Sequence, residues 1–263
     1  MPGARGRSAG VSGVHVGGRR TVLEAVRSGR AREVLISSAS RRTPGMHDLL
    51  EACARAGLEP NTIPARELDA LVADHRGVVA RIEIPGPVGE RELSAWPFGE
   101  DDLVVVLDGV EDPQNLGAVA RSAEAAGAAM LVTRTRRAAD VTPAAIRASA
   151  GALLHLPHAR VANLPRALER LQGAGFTVVG LDERAERTVF EEVAPEGRLA
   201  IVVGAEGRGM ARLTREACDL LLALPMRGRV GSLNASAALA AVLYAYVLPS
   251  RRDVRRRLGG PPA

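Results

Sequence analysis

The sequence predicts an α/β protein of two domains, the larger built on a mainly parallel sheet and the smaller a compact α/β unit ahead of it. Three observations carry this. From Leu103 to Leu248 short apolar runs of strand type alternate with amphipathic helices, the pattern of a parallel sheet covered on both faces. A shorter alternating unit occupies residues 15–84, and a Pro- and Gly-rich stretch, residues 85–102, parts the two as a linker.

In the small unit, residues 1–14 are Gly, Ser, Ala and Arg without periodicity and read as a disordered basic extension. GGRRTVLEAVRSGR then places apolar residues at helical spacing and ends at Gly29. A strand follows at Glu33–Ser37, a helix at Met46–Gly57, a strand in LEPNTIP, a helix in ARELDALVA and a strand at Gly77–Ile84. The linker holds the only Trp, Trp96, expected to pack on a flanking domain.

The large unit, residues 103–248, opens with the buried-type strand Leu103–Asp108, the loop GVEDPQN and the helix LGAVARSAEAAG. Further strands are expected at Ala129–Thr133, Phe176–Asp182, Leu199–Gly204 and Asp219–Leu224. Helices fill the gaps at PAAIRASAG, LPRALERLQGAG, ARLTREAC and LNASAALAAVLYAYVL. Residues 249–263 carry RRDVRRR and read as an exposed basic tail.

Composition limits the chemistry. All 35 residues in the Lys+Arg count are Arg, so a P-loop, which needs its Lys, and Schiff-base catalysis by Lys are both excluded. A net charge of +5 and a pI near 10.3 favour a polyanionic partner. Aromatic residues make up only 2%, so base stacking platforms are scarce and RNA recognition would lean on Arg and shape. The two cysteines, Cys53 and Cys218, suggest neither a disulfide framework nor a metal site. No uncharged apolar run is long enough for a membrane span and no signal-peptide core is present, so a cytoplasmic protein is expected.

Ligands in such sheets sit where strands end in loops. Three loops of the large unit hold the polar residues of interest. DGVEDPQNLGAVAR puts Asn115 at a helix start and Arg121 about one and a half turns on. VVGAEGRGM surrounds Glu206 with Gly204, Gly207 and Gly209, which permit unusual backbone angles. LPMRGRVGSLNASAALA runs from a strand end through a basic Gly-rich loop into an apolar helix, with Ser232, Asn234 and Ser236 at the junction. One cap needs only one of these three. A dinucleotide fold fits poorly, because the glycine order is wrong and little chain remains beyond it.

In order and spacing, these three loops resemble the three motifs of the SPOUT superfamily of methyltransferases, in its TrmH/SpoU branch. The resemblance spans roughly Leu103 to Tyr246. The preceding unit, with HVGGRRTVLEAV and HRGVVA, is similar to the RNA-binding domain of branch members that methylate a guanosine ribose of 23S ribosomal RNA.

The resemblance implies a C-terminal domain folded as a trefoil knot, a homodimer formed through that domain with the last helix at the interface, and S-adenosylmethionine bound in the knot loops. By motif position the cofactor contacts are Gly204, Leu224 and Leu233, with Met226 and Ser232 nearby. Arg121 stands at the centre of catalysis, with Asn115 positioning it and Glu206, Ser232 and Asn234 completing the site, Glu206 holding an Arg. Because Arg is not normally deprotonated, Arg121 is expected to bind phosphate or stabilise the developing alkoxide rather than act alone as base. Arg19, Arg20, Arg41 and Arg42 are candidate RNA phosphate contacts, as is Arg121. No metal is implied. The rival readings are the same reaction on tRNA or on another rRNA site, as in resistance methyltransferases, and a non-catalytic ribosome assembly factor with a vestigial pocket.

Overall fold

The computed structural model describes residues 13–43, 45–229 and 231–250, without the side chains of Arg42 and Ser250. Most of the expected basic extension and of the basic tail lies outside them. The chain divides into two units between Pro85 and Gly86.

The first unit is a four-stranded sheet with helices α1 (Arg19–Arg27), α2 (Met46–Arg55) and α3 (Ala65–Leu71). Its strands, β1 (Val14–Gly17), β2 (Ala31–Ser37), β3 (Asn61–Ile63) and β4 (Val78–Ile82), lie in the order β1-β4-β2-β3. β4 runs antiparallel to β1 and β2, and β3 parallel to β2. The expected basic extension thus stops short of Val14, which pairs with Ile82. Val22, Ala25 and Val26 of α1 and Met46, Leu49 and Cys53 of α2 are buried, as an amphipathic helix requires when one face covers a sheet.

In the second unit six parallel strands lie in the order β10-β8-β9-β5-β6-β7. They are β5 (Leu103–Asp108), β6 (Met130–Arg134), β7 (His158–Val161), β8 (Thr177–Leu181), β9 (Leu199–Gly204) and β10 (Leu220–Leu222). Every residue of β5 and β9 is buried. Strands buried on both faces read as unbroken apolar runs, which is why these two stand out in the sequence. β7 does not stand out, because its four residues include His158 and Arg160. His158 is buried, with Nε2 2.7 Å from Thr133 Oγ1. Burial, helped by the charge of Arg160, pushes its pKa down to about 4.

Residues 86–102 do not behave as the expected linker. They carry helix α4 (Glu90–Ser94), bury Leu93 and pack Val88, Trp96 and Phe98 on the second unit's core. Val88 covers the edge of β7, donating to His158 O at 2.8 Å and accepting from Arg160 N at 3.0 Å. A covered edge cannot recruit another strand. Arg198 donates to the carbonyls of Phe98 at 2.7 Å and Gly99 at 2.8 Å, fixing the segment's end.

The helices are α5 (Pro113–Ala125), α6 (Pro143–Ala148), α7 (Leu164–Gly173), α8 (Arg212–Glu216) and α9 (Ala235–Val242), which continues through a π turn at Leu243–Val247. α5 starts three residues earlier than expected. Asp112 is its N-cap, accepting from Gln114 N at 2.9 Å, and Pro113 takes the first position, where its missing N–H costs nothing. Gly117 lets α5 lie against α6: a Cβ there would meet Ala148 Cβ at 2.5 Å and Ala145 O at 2.6 Å.

After β5 the chain adds β6 and β7 on one side, then returns to place β9 on the other. The strand order therefore switches direction between β5 and β9. A crevice opens at the carboxyl ends of the strands flanking such a switch; the first two loops of interest leave β5 and β9 there, and the third leaves the edge strand β10 at the same end of the parallel sheet.

Candidate functional site

Asn234 joins the three loops. It is the N-cap of α9, its Oδ1 accepting from Ser236 N at 2.9 Å and from Ser236 Oγ at 2.7 Å. Its Nδ2 donates to Asn115 Oδ1 at 3.0 Å, in the first loop, and to Glu206 Oε2 at 3.1 Å, in the second. An Asn suits this node because one side chain offers both an acceptor for the helix end and two donors. The first and second loops are tied directly as well, by Arg208 to Glu111 at 3.4 Å.

The first loop starts from Asp108, the buried last residue of β5. Its two oxygens accept from Arg134 Nη1 at 3.2 Å and from Ala211 N at 2.8 Å, pinning the start of α8. The second loop closes on itself through Gly209 N to Ala205 O at 2.8 Å. Gly204 makes that return possible: a Cβ there would lie 2.1 Å from the Gly209 carbonyl carbon and 2.3 Å from Met210 N.

Beside the node a cleft of about 210 Å³ opens over the ends of β8, β9 and β10. Leu181, Val203, Leu222, Ala235 and Ala238 give it apolar walls, and residues 204–209 line it as well. Gly204, Glu206, Leu224, Met226, Ser232 and Leu233, all named from the sequence, line it. Asp182 and Arg184 close one end. Burial alone would raise the Asp182 carboxyl, yet hydrogen bonds from the Arg184 side chain and backbone, with Arg215 behind them, hold it below the usual carboxylate range.

Asn115 and Asn234 stand at the node rather than in the cleft wall. Arg121 is exposed on α5, outside the cleft lining and without a hydrogen-bond partner among the described residues. The Asn115 side chain bonds to Asn234, and none of its bonds goes to Arg121. Glu206 is held by Asn234, while the Arg of its own loop, Arg208, reaches Glu111. Asp108, Asp182 and Arg184 were not singled out in the sequence; an acid closing an apolar strand, as in VVVLD and VVGLD, was the available signal.

In the first unit Arg19 and Arg20 open α1, and Arg41 lies in the short turn after β2, where Nη1 donates to Thr62 Oγ1 at 3.2 Å. The Arg42 side chain lies outside the described residues. Among those residues, no group of three His, Cys, Asp or Glu is arranged to hold a metal ion, and no helix is long and apolar enough to cross a membrane.

A parallel α/β unit with an apolar cleft at its strand ends, beside three cross-linked loops, is the architecture of a small-molecule-dependent transferase domain on the expected pattern. The chain belongs to the SpoU rRNA Methylase family, whose profile matches residues 102–244; that of the RNA 2'-O ribose methyltransferase substrate-binding domain matches residues 16–88. Its reaction is S-adenosylmethionine-dependent methylation of a ribose 2'-hydroxyl in RNA. It is 39% identical over 230 residues to the 23S rRNA (guanosine-2'-O-)-methyltransferase RlmB of Pseudomonas putida, covering 86% of this chain and 91% of that protein. An uncharacterized tRNA/rRNA methyltransferase of Mycolicibacterium vanbaalenii is 36% identical over 245 residues, 90% of this chain and 76% of the relative. Among solved structures, the SpoU methyltransferase AviRb of Streptomyces viridochromogenes in complex with AdoMet superposes with a TM-score of 0.72 at 30% identity, covering 95% of this chain and 92% of that one.

Proposed function

We propose that the chain methylates the 2'-hydroxyl of a guanosine in 23S ribosomal RNA. The observation that carries the reading is the Asn234 node, which holds the three motif loops together beside the cleft. Support for rRNA as substrate comes from the RlmB relative, which spans both units.

The cleft suits S-adenosylmethionine by the chemistry of its lining: aliphatic walls for an adenine, and backbone groups of the Gly204–Gly209 loop for its polar edge. Gly204, Leu224, Met226, Ser232 and Leu233 would hold it. Bound there, the cofactor supplies an electrophilic methyl group. A ribose hydroxyl is a weak nucleophile, so the protein's task is to orient it and to favour loss of its proton. Arg121 projects from α5 with its charge uncommitted among the described residues, and serves to hold the adjoining phosphate and the developing alkoxide. Asn115, Glu206 and Asn234 keep the loop edges in register, and Ser232 faces the transfer site.

The reading includes a homodimer through the second unit. Phe190, Val193 and Tyr244 are 66%, 80% and 55% exposed, apolar side chains that an interface would cover, and Tyr246 Oη ties the last helix to the segment of Val193, donating to its carbonyl at 3.4 Å. It also includes the trefoil knot, in which residues 187–189, paired alongside Ala223 in a parallel bridge, would be one strand of the knotted region. The first unit binds RNA through Arg19, Arg20, Arg41 and Arg42, in the cytoplasm.

Arg121→Ala tests the catalytic assignment. Calorimetry should show unchanged S-adenosylmethionine affinity while methyl transfer to rRNA falls by about 100-fold or more, the scale of losing one charge-stabilising donor. Unchanged transfer would remove Arg121 from its role.

A further inference from the structure

One turn of the first unit is built more tightly than a connection between α3 and β4 requires. Asp74, Arg76 and Gly77 have φ of 55°, 51° and 80°, so two side-chain-bearing residues sit in the left-handed region on either side of His75. His75 is buried between exposed neighbours. Its Nδ1 accepts from Gly77 N at 2.8 Å, so the ring proton is on Nε2, which donates to Asp69 Oδ1 at 3.0 Å.

The turn is wedged between the other loops at the same end of the sheet. β4 is antiparallel to β1 and β2, so its first residues lie beside their last ones, with Val79 opposite Gly17 and Val78 opposite Ile36. Gly18 N donates to His75 O at 3.1 Å and Ser37 N to Gly77 O at 3.0 Å. Both contacts are close enough to demand glycine. A Cβ on Gly17 would meet His75 Cα at 2.9 Å, and one on Gly77 would meet Ser40 Oγ at 1.7 Å. One neighbour leads into Arg19 and Arg20, and the other into Arg41.

Arg76 is therefore exposed on the end of the sheet that carries the other three arginines, each group on a different element. Among the described residues neither Arg20 nor Arg76 has a carboxylate partner, and Arg41 spends one donor on a neutral hydroxyl. Two carboxylates stand by the turn, Asp69, which accepts from the neutral His75 ring, and Asp74 in the turn itself. Arg20, Arg41 and Arg76, exposed cations on three different elements at one end of a sheet, fit a polyphosphate backbone.

We propose that the Asp74–Gly77 turn is an RNA backbone contact, in which Arg76 takes a phosphate and His75, beneath it, is the positioning residue that sets the turn. This rests on the reading that the first unit binds RNA.

The test is affinity of the full chain for unmethylated 23S rRNA transcript across a salt series. Arg76→Ala should weaken binding by about 3- to 10-fold at low salt and lower the slope of log K against log salt by about 0.7 to 0.9, the value of one phosphate contact. His75→Asn retains an acceptor near the Nδ1 position for Gly77 N and should bind close to wild type. His75→Gln moves its amide to the Nε2 position, releases Gly77 and should match Arg76→Ala. Equal loss in both His75 variants overturns the positioning role. Wild-type affinity and slope in Arg76→Ala, with Arg20→Ala weakened, overturns the turn as a contact while leaving the unit's role intact. Both arginine variants unchanged would remove RNA binding by this end of the unit altogether. If His75→Gln melts well below wild type, the exposed Arg76 decides alone.

Discussion

Replacing Asn234 separates what the node does for the fold from what it does for the reaction. Asn234→Ala removes a helix cap, a hydrogen bond to Asn115 at 3.0 Å and one to Glu206 at 3.1 Å. A cap is worth about 1 kcal/mol and a neutral side-chain hydrogen bond about 1 kcal/mol. The Glu206 bond adds little to that, because its carboxylate is exposed and screened. The loss is about 2 kcal/mol, or roughly 4–8 °C in thermal midpoint for a domain of this size. Asn234→Asp keeps the cap oxygen but sets a carboxylate against Glu206, while the Asn115 amide can turn to donate. It should melt within a few degrees of wild type yet lose about tenfold or more in methyl transfer, because the second and third loops no longer share a bond. Calorimetric melting with a transfer assay reads both. An Asn234→Ala protein that melts and turns over like wild type would refute the node's role.

Two further outcomes follow from the packing. Gly204→Ala puts a Cβ inside the Gly209–Met210 backbone, so the loop must move and S-adenosylmethionine affinity should drop by about tenfold or more; an unchanged binding isotherm contradicts the loop's place at the cofactor. His158, with a pKa depressed to about 4 by burial, stabilises the fold as the neutral ring. That contribution is complete above about pH 6.5 and is lost as pH falls through about 4, since the unfolded chain takes up the proton first. At about 1.4 kcal/mol per pH unit its ceiling is about 3 kcal/mol. Urea denaturation of His158→Gln, which can still bond Thr133, should show a flatter fall between those pH values; an identical profile contradicts it.

What the sequence shows and what it hides divide along physical lines. β5 and β9 are legible because burial on both faces leaves no polar residue to interrupt them. β1 and β7 are four residues each, too short for a period of two to register, and β7 carries His158 and Arg160. Residues 86–102 look like a linker from their Pro and Gly content, yet Leu93 and the Arg198 clamp fasten them to the second unit. The apolar and glycine residues of the cleft are visible as strand ends running into loops. Asn234 is visible as a cap, but its bonds to Asn115 and Glu206 span 119 and 28 residues and depend on how the strands are ordered. Asp108 is hidden for the same reason: its partners, Arg134 at the end of β6 and Ala211 at the start of α8, lie 26 and 103 residues away.

The most direct test of ribose methylation as this chain's reaction is a map of 2'-O-methyl groups across 23S rRNA from cells with and without the gene. One guanosine ribose should be methylated only when the gene is present, restored by the wild-type chain and not by Arg121→Ala. Identical maps in the two strains would contradict rRNA methylation by this protein.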